Sequence, residues 1–365
     1  MERHEVVVVG AGPAGLTAAR VLAENGKDVF VLEKLPEGRI GENVCTGAIS
    51  SKSRDILNLP ENMYDIKPDE WDLIFYLPKR DIKLSNSLLS DNGRYKTGYV
   101  SRMALGQWML KNAKDAGVNV EPECAIKEVK KEENKVILQD GREFGYDALI
   151  GADGSNSVIR RSLRLKTEGI LGCSYKVEGN YRDVEAFVDW KRFGLAVPFI
   201  FPHRKYGYFG IWSYDDYFVP FKEEIKRFDE LCEEKYGVRP SANPGGAHLI
   251  STRYEGRKFG NIYLVGDAGG FADYVYGEGI YFALKSGELT GRELSGMDVR
   301  KEWKEFMWQK KQHNCIEIPL KIYKKAIPKS ILKFGMDIVA EAGYKLFPPF
   351  SKLAMRVFFS QFVWR

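Results

Sequence analysis

The sequence predicts an α/β fold: a discontinuous, Rossmann-like nucleotide-binding domain, an inserted antiparallel sheet that forms an α+β second domain, and a helical C-terminal region. Three observations predict it. A strand, a glycine loop, a helix and a second strand open the chain within about thirty residues, as in a βαβ unit. The stretch from Leu171 to Trp212 is rich in Tyr, Phe, Val and Trp, which indicates antiparallel strands. After residue 250, the sequence again predicts a buried strand followed by a helix, as in the opening segment.

The composition is that of a globular protein. Of the 365 residues, 44% are hydrophobic and 29% are charged, which excludes wholesale disorder. Five cysteines without a CxxC pair and only four histidines indicate neither a disulfide framework nor a metal site, so we expect no metal. Residues 319–365 hold nine Lys or Arg against two acids, a net +7 within a total of +5. Because the rest of the chain is therefore slightly acidic, we expect no nucleic-acid partner.

The sequence also favours one compartment. The opening MERHEVVVVG runs straight into a strand, so we expect no secretory signal. No stretch of uncharged apolar residues reaches the length of a membrane-spanning helix. We therefore expect a cytoplasmic protein with reduced thiols, and the basic C-terminal segment adds the alternative of peripheral attachment to a membrane.

The first elements follow from short patterns. Glu5 to Val9 is a β-branched run that predicts a buried parallel strand. A helix is predicted from Ala14 to Asn25, with Gly26 as its C-cap, and a second strand from Asp28 to Leu32. Residues 38–53 are rich in Gly and Ser, which predicts a loop.

The middle of the chain continues the first domain before the second begins. Ser101 is the predicted N-cap of a helix that runs to about Ala116. Val118 to Gly145 alternates strand and turn, and Asp147 to Ile150 predicts a buried strand that ends in GADG.

Helices dominate the remaining predictions. Val219 to Tyr236 has helical spacing, Asn261 to Val265 predicts a buried strand, and Gly277 to Leu294 predicts a helix. The last seventy residues have helical composition, broken at Pro319, Pro328 and Pro348-Pro349. We assign 1–60, 95–165 and 250–295 to the nucleotide-binding domain, 61–94 and 166–249 to the substrate and catalytic sheet domain, and 296–365 to the helical C-terminal region.

The glycine loop carries the strongest local signal. Gly10, Gly12 and Gly15 form GxGxxG between a strand and a helix, and Glu33 stands at the tip of the next strand. The glycines allow a tight turn, backbone approach to a pyrophosphate and close packing of helix on strand. Glu33 can accept both hydroxyls of an adenosine ribose and would repel a 2′-phosphate. The motif therefore predicts FAD or NAD, and its alternative is a plain glycine turn with a surface glutamate.

A later segment separates FAD from NAD. Asn261 to Ala268 is a strand followed by Gly266-Asp267, and an Asp at such a strand tip can bond the ribityl chain that FAD carries. Gly279 and Ile280 then open a helix whose N–H groups can face the flavin and stabilise its anionic reduced form. The sequence thus favours FAD, against the alternative of an ordinary strand, turn and helix.

These motifs resemble a known family. GAGPAG with Glu33, GADG at 151–154 and LVGDAGG with GEGIYFALKSG at 264–287 are similar to the para-hydroxybenzoate-hydroxylase-like flavoproteins, and within them to the geranylgeranyl reductase family. GENVCTG at 41–47 is similar to that family's Cys-Gly loop. The resemblance covers roughly residues 4–295. It implies a bound FAD and the reduction of double bonds in an isoprenoid lipid.

The resemblance also implies roles for individual residues. Ala14 matches a backbone contact to the pyrophosphate, Arg102 a contact to FAD, and Ala125 the adenine-side strand. Cofactor contacts near the ribityl chain and ring are implied for Asp267, Gly279 and Ile280, and a loop beside the ring for Cys45 and Gly47. The alternative for Arg102 is an ordinary surface arginine. Because a cation is unfavourable at a helix N-terminus, an anionic partner for Arg102 is the better interpretation.

Cys45 is the candidate catalytic residue. A lone cysteine is most often a small buried hydrophobe, but a polar, glycine-rich loop is a poor place for core packing. We consider a role as proton donor, in substrate positioning or in redox sensing, against simple packing.

The second domain offers an apolar surface for the substrate. Leu195, Val197, Phe199 and Phe201 alternate on one predicted strand, and Tyr206, Tyr208 and Trp212 lie on the next. We take Phe199, Phe201, Tyr208 and Trp212 as substrate-binding candidates, and an ordinary sheet core is the alternative. The family's aromatic motif is reduced here to the final Phe-Pro of Val197 to Pro202, which leaves the identity of the lipid open.

The sequence therefore predicts an FAD-dependent oxidoreductase that reduces carbon–carbon double bonds of an isoprenoid or polyprenyl lipid. Two rivals stay open: a flavin monooxygenase or halogenase of the same fold, and a membrane-surface electron-transfer flavoprotein. The electron donor stays open among a reduced ferredoxin, NAD(P)H and other reductants. The basic segment from Pro319 mixes Lys with large apolar residues, so it either binds an anionic membrane surface or caps the core.

Overall fold

The computed structural model describes residues 1–78, 80–85, 97–194, 196–214, 219–274 and 277–313. The helices are α1 (Pro13–Glu24), α2 (Ser51–Leu57), α3 (Arg102–Asp115), α4 (Val158–Ser162), α5 (Trp190–Phe193), α6 (Phe221–Tyr236), α7 (Ile280–Leu294) and α8 (Arg300–His313). The strands are β1 (Glu2–Val9), β2 (Val29–Leu32), β3 (Ala48–Ile49), β4 (Tyr64–Ile66), β5 (Leu73–Leu77), β6 (Arg80–Leu84), β7 (Gly98–Val100), β8 (Asn119–Glu121), β9 (Ile126–Lys130), β10 (Lys135–Leu138), β11 (Glu143–Gly151), β12 (Gly169–Glu178), β13 (Val184–Phe187), β14 (Ala196–Pro202), β15 (Tyr206–Ser213), β16 (Gly245–Ser251), β17 (Lys258–Phe259) and β18 (Ile262–Leu264).

The first sheet has the order β17-β18-β11-β1-β2-β8, and β10 and β9 extend from β11. Strands β18, β11, β1, β2 and β8 run parallel, so Val8 lies between Ile150 and Val31. These strands are apolar along their length because both faces of the sheet are covered. Helices α1 and α7 pack on one face so tightly that a Cβ atom at Gly287 would lie 2.3 Å from the Ala14 carbonyl oxygen.

The second sheet has seven strands in the order β16-β12-β15-β14-β13-β5-β6. All neighbours are antiparallel except β13 and β5. One face is sealed by α6, where Ile200, Phe209 and Ile211 pack with Phe228 and Cys232 and are fully buried. The two sheets with their helices confirm the predicted α/β fold with a second, antiparallel sheet.

A third sheet of three short strands, β3-β7-β4, differs from the sequence-based expectation. The predicted loop at residues 38–53 contains β3 and the first residues of α2. Ser50 starts α2 by accepting a hydrogen bond from the Ser53 backbone N–H. Strands of two or three residues leave too short a pattern to be recognised from the sequence.

The predicted helix boundaries are close to those observed. Ser101 caps α3, and its hydroxyl accepts from the Ala104 N–H at 3.4 Å. The helix predicted from Gly277 begins at Ile280, because the chain first makes a turn in which the Asp273 carboxylate accepts from the Glu278 N–H. No helix in the parts of the chain described above is long and apolar enough to cross a bilayer.

Helix α8 is the described part of the predicted helical C-terminal region. Its Trp303 and Phe306 pack with Phe271 and Phe282 of the first domain. Lys310 is buried, and its ammonium group donates to the carbonyl oxygens of Ala272 at 2.9 Å and Thr252 at 3.2 Å. The predictions for residues 314–365, including the basic segment, and for Leu195 lie outside the described residues.

Candidate FAD site

The glycine loop between β1 and α1 brings backbone and helix together. Gly10 has a φ of +106°, and a Cβ atom there would lie 2.4 Å from the Ala152 carbonyl oxygen. A Cβ atom at Gly15 would lie 1.9 Å from the Gly10 carbonyl oxygen, so only glycine fits. Around Gly12, in contrast, a Cβ atom would meet nothing within 4 Å. The open side of the loop therefore exposes the first N–H groups of α1, which have no partner within the helix.

A cavity of about 520 Å³ lies at the carboxyl ends of β1, β2 and β11. This is the edge where open parallel sheets bind nucleotides. The cavity is lined by five of the predicted cofactor-binding residues: Gly10, Gly12, Glu33, Arg102 and Ala125. Ala14 and Gly15 lie behind this lining, where Ala14 packs between α1 and α7 and is 5% exposed.

Glu33 directly follows β2 and is held in place by the backbone. One carboxylate oxygen accepts from the Ala11 N–H at 2.6 Å, and the other accepts from the Leu35 N–H at 2.9 Å. Each oxygen retains acceptor capacity, because a carboxylate has about four lone-pair positions. Glu33 is thus oriented toward the cavity and can accept hydroxyl groups there.

Arg102 has the environment of an anion-binding residue. It is the first residue of α3, is 7% exposed and lines the cavity. Its Nε and Nη1 atoms are buried and have no hydrogen-bond partner among the described residues. Leaving a buried charged donor unpaired is costly. A phosphate or an anionic ring against these atoms would provide the missing acceptors.

Asp267 and the start of α7 form the next part of the site. A Cβ atom at Gly279 would lie 3.5 Å from Oδ1 of Asp267, so the two predicted cofactor contacts are neighbours. Burial raises the pKa of Asp267 to about 6, against the opposing charges of Lys310 and Arg102. Ile280 is 7% exposed and belongs to the core under the first sheet. Because the Arg102 charge lowers the pKa of Asp267, the Asp267 carboxyl group and the Arg102 guanidinium lie within electrostatic range of each other.

The loop with Cys45 lies beside the second sheet. Gly47 has a φ of +70° and passes over the Val100 carbonyl, where a side chain would clash. Cys45 is half-buried, whereas the other three cysteines in the described ranges are buried. Burial raises the pKa of Tyr208, the nearby Cys45 raises it further, and the Arg102 charge lowers it. Cys45 and Arg102 therefore lie within electrostatic range of the Tyr208 hydroxyl.

The substrate-binding candidates share one face of the second sheet. Phe201 pairs with Tyr208 across β14 and β15, and Val197 pairs with Trp212. The Phe199 ring stacks on Trp212 at 4.8 Å and meets Phe201 edge-on at 4.9 Å. Phe201, Tyr208 and Trp212 are only half-buried, while the opposite face is sealed by α6. The structure thus presents a half-buried aromatic face that includes Tyr208, within electrostatic range of Cys45 and Arg102.

Some residues of the site were missed by the sequence interpretation. Asp153, in GADG, accepts from the N–H groups of Val158 and Ile159 and so fixes the start of α4 against the cavity. The GADG motif was its signal. His203 is fully buried and bonds both Asp65 and the loop carbonyl of Thr46. No sequence motif around His203 predicts this role, because its partners are more than a hundred residues away in the sequence.

A family model described as an FAD binding domain matches residues 3–196, more than half of the chain. The chain belongs to this FAD-binding family. Its cofactor is FAD, and the residues present fit that group: the open N-terminus of α1, the fixed Glu33 carboxylate and the unpartnered guanidinium of Arg102.

Relatives of this flavoprotein include reductases. Digeranylgeranylglycerophospholipid reductase 1 of Methanopyrus kandleri is 28% identical over 309 residues, which span 79% of each sequence. The crystal structure of a geranylgeranyl bacteriochlorophyll reductase-like protein from Thermoplasma acidophilum matches with a TM-score of 0.72 at 21% identity, over 93% of this chain and 92% of that one. The resemblance drawn from the motifs is confirmed, and the protein is an FAD-dependent oxidoreductase.

The same fold serves other flavin chemistry. A probable FAD-dependent monooxygenase from Pseudomonas aeruginosa matches with a TM-score of 0.64 at 16% identity, over 85% of this chain and 92% of that one. The fold therefore does not separate reduction from oxygenation, and the residues of the site must do so.

Proposed function

We propose that this flavoprotein reduces carbon–carbon double bonds in the isoprenoid chain of a lipid. One observation carries the proposal: β14 and β15 present a half-buried aromatic face, and Tyr208 on that face lies within electrostatic range of Cys45 and Arg102. Such a face suits a long apolar chain, because burying apolar surface stabilises by about 25 cal/mol per Å². The name of the Methanopyrus kandleri relative supports the same substrate class.

The residues divide the work as follows. Gly12 and the N-terminus of α1 hold the pyrophosphate, Glu33 the adenosine ribose, Arg102 an anionic part of the cofactor and Asp267 the ribityl chain. FAD, when bound and reduced, would supply a hydride to one alkene carbon. The protein must place the alkene and supply a proton to the other carbon. Phe199, Phe201, Tyr208 and Trp212 place the chain, and Cys45 is our candidate for proton donation or positioning.

A single-turnover experiment tests this function. The protein is reduced with dithionite under anaerobic conditions and mixed with a geranylgeranyl lipid, and the lipid is then analysed by mass spectrometry. We expect a mass gain of two hydrogens for each double bond reduced, with stoichiometric flavin oxidation. Parallel reactions test the rivals. After admission of air and chloride to the reduced protein, an oxygenated or halogenated product would indicate the rival monooxygenase or halogenase. After addition of a quinone under anaerobic conditions, flavin oxidation with an unchanged lipid would indicate electron transfer.

A variant tests the role of Cys45. We expect Cys45→Ala to retain FAD, because Cys45 does not line the cavity, and to lose most double-bond reduction. Cys45→Ser keeps the size with a far weaker acid and separates proton donation from packing. Wild-type turnover in Cys45→Ala would show that Cys45 only packs.

A further inference from the structure

His203 lies at the junction of the second sheet and the Cys45 loop. It directly follows β14, is fully buried, and stacks on the Tyr206 ring at 4.5 Å. Its Nε2 atom is 2.9 Å from the Thr46 carbonyl oxygen, and its Nδ1 atom is 2.8 Å from Oδ2 of Asp65. Thr46 is the residue next to Cys45, so the imidazole ties the candidate catalytic loop to the substrate-binding sheet.

The two partners decide the protonation state of the ring. A backbone carbonyl can only accept, and an ionised carboxylate can only accept. A neutral imidazole carries one N–H and could satisfy one of the two. The Asp65 carboxyl group also lies within hydrogen-bonding reach of the Tyr206 hydroxyl, which can donate to it. The geometry is satisfied when the imidazole donates from both nitrogens.

The other groups around the ring leave this arrangement intact. Tyr208 and Tyr99 meet the imidazole edge-on and remain neutral, because burial raises their pKa values. Two cations lie nearby but do not contact the carboxylate oxygens of Asp65. The Lys176 ammonium lies over the Tyr206 ring, 4.2 Å from its centroid, and Arg204 donates to the backbone oxygen of Asp65. Asp65 is therefore the counter-charge of the imidazolium.

We propose that His203 is a positioning residue: an imidazolium, paired with Asp65, that fixes the Cys45 loop through the Thr46 carbonyl. Its importance for catalysis rests on the proposed function, whereas its effect on the loop does not. Loss of the proton would leave Nδ1 and Oδ2 as two acceptors facing each other at 2.8 Å. The ring would then have to give up one bond, and giving up the Thr46 carbonyl releases the loop.

The charge is tested first in the wild-type holoprotein. With only four histidines in the chain, ¹⁵N-histidine labelling and two-bond ¹H–¹⁵N correlation spectra resolve each ring, and His203→Gln assigns the signal. We expect the imidazolium pattern for His203 at neutral pH. Either neutral tautomer in the wild type would overturn the proposal.

Variants then test the loop. Cys45 is alkylated with iodoacetamide in a Cys315→Ser background, where the other three cysteines are buried. We expect His203→Gln to raise the alkylation rate about tenfold, the population change that a lost charge-assisted hydrogen bond produces. Its amide can donate to only one of the two acceptors, and donation to the Asp65 carboxylate leaves its oxygen facing the Thr46 carbonyl, two acceptors in contact. Asp65→Asn added to His203→Gln restores a donor to that oxygen, and we expect it to return the rate toward the wild-type value.

Asp65→Asn alone gives the sharpest contrast. The amide can donate to Nδ1, so a neutral ring with its proton on Nε2 keeps the Thr46 bond. We expect a neutral tautomer by NMR and nearly wild-type alkylation. His4, which pairs with Asp28 at 3.1 Å on the first sheet, provides the control, and His4→Gln should change neither measurement.

The outcomes separate this proposal from the proposed function. A faster alkylation in His203→Gln with unchanged lipid reduction would support the role of His203 and contradict that of Cys45. An alkylation rate that stays at the wild-type value in His203→Gln would overturn the role of His203, whatever the activity. If His203→Gln does not fold, the wild-type spectrum and Asp65→Asn decide.

Discussion

Arg102 combines burial with an unsatisfied charge, which makes it the residue most dependent on the cofactor. Two of its guanidinium nitrogens are buried without a partner among the described residues. Arg160, which is also buried, instead donates to several carbonyls. Unpaired burial disfavours the apoprotein. Burial of the same nitrogens becomes favourable once an anion accepts hydrogen bonds from them. Arg102 therefore lowers the stability of the apoprotein and raises the affinity for the cofactor.

Arg102→Met should therefore act in opposite directions on binding and stability. We expect FAD affinity to fall about 10- to 100-fold, the value of one or two charge-assisted hydrogen bonds. We expect the thermal stability of the apoprotein to be unchanged or higher, because an apolar side chain replaces an unpaired charge. Fluorescence titration of FAD and thermal unfolding measure the two effects. Arg20→Met, at a surface pair with Glu24, should alter neither, and equal FAD affinity in both variants would refute the assignment.

Asp267 gives the apoprotein a pH dependence with a defined sign. Its pKa is raised by burial from 3.8 to about 6, so between these values the folded state holds a proton that the unfolded state has lost. Stability from this group is present below about pH 4 and is lost as the pH rises through 6. Denaturant unfolding from pH 4 to pH 7 should show that fall, and Asp267→Asn should remove it. If the difference in free energy of unfolding between the wild type and Asp267→Asn does not change from pH 4 to pH 7, the prediction is contradicted.

The predictability of single residues depended on whether their partners are local. Gly10, Gly12, Gly15 and Glu33 were found because the turn and the strand tip that use them lie within one βαβ unit. The His203 pair with Asp65 spans 138 residues, so no local pattern contains it. The unpartnered state of Arg102 is likewise a result of tertiary packing, although its place at the start of α3 was predicted from Ser101.

At the scale of elements, α8 reaches from the C-terminal region under the cofactor-binding loop. Lys310 donates to the carbonyl oxygens of Ala272 and Thr252, on either side of Asp267 in the sequence. The position of Asp267 therefore depends on a helix outside the nucleotide-binding domain predicted from the sequence. The long elements were predicted because their apolar periodicity is clear, whereas β3, β4 and β7 are too short to show one.

Lys310→Met tests this dependence, with Lys311→Met as the matched control on the exposed side of the same helix. We expect the free energy of unfolding to fall by about 1–3 kcal/mol for Lys310→Met, because two buried carbonyls lose a charged donor. We also expect the pKa of Asp267 to rise, since the ammonium charge lowers it. Chemical denaturation and the Asp267 pH dependence provide the measurements. If the two variants behave alike, α8 does not support the loop.

At the scale of the whole molecule, the candidate site draws on both sheets. The first sheet presents the nucleotide cavity at its carboxyl edge, and the second presents an aromatic face whose Tyr208 lies within electrostatic range of Arg102 and Cys45. Composition predicted the second sheet, but only the structure shows which of its faces is open, because α6 covers the other one. The basic segment beyond the described residues is the remaining feature of the whole chain, and its role is a prediction.

The segment from Pro319 to Arg365 should bind anionic membranes. Its net charge of +7 is that of a polybasic segment, in which each Lys or Arg near an anionic membrane contributes about 1 kcal/mol before screening. We expect full-length protein to co-sediment with anionic vesicles at low salt, to dissociate as salt rises, and to ignore neutral vesicles. Truncation after Ile318 should weaken vesicle binding more than FAD binding. Absence of binding even at low salt would favour the alternative, in which the segment caps the core.

The contact of α1 with α7 has a consequence for biosynthesis. Helix α1 ends at Glu24 and α7 begins at Ile280, yet the carbonyl of Ala14 touches Gly287. At roughly 5–20 residues per second, a ribosome needs on the order of 10–50 s to make the roughly 250 residues between them. The nascent glycine loop therefore waits without its packing partner while the whole second sheet is translated. We expect FAD capture to follow synthesis of α7, and the exposed α1 surface to be a target for chaperones in that interval.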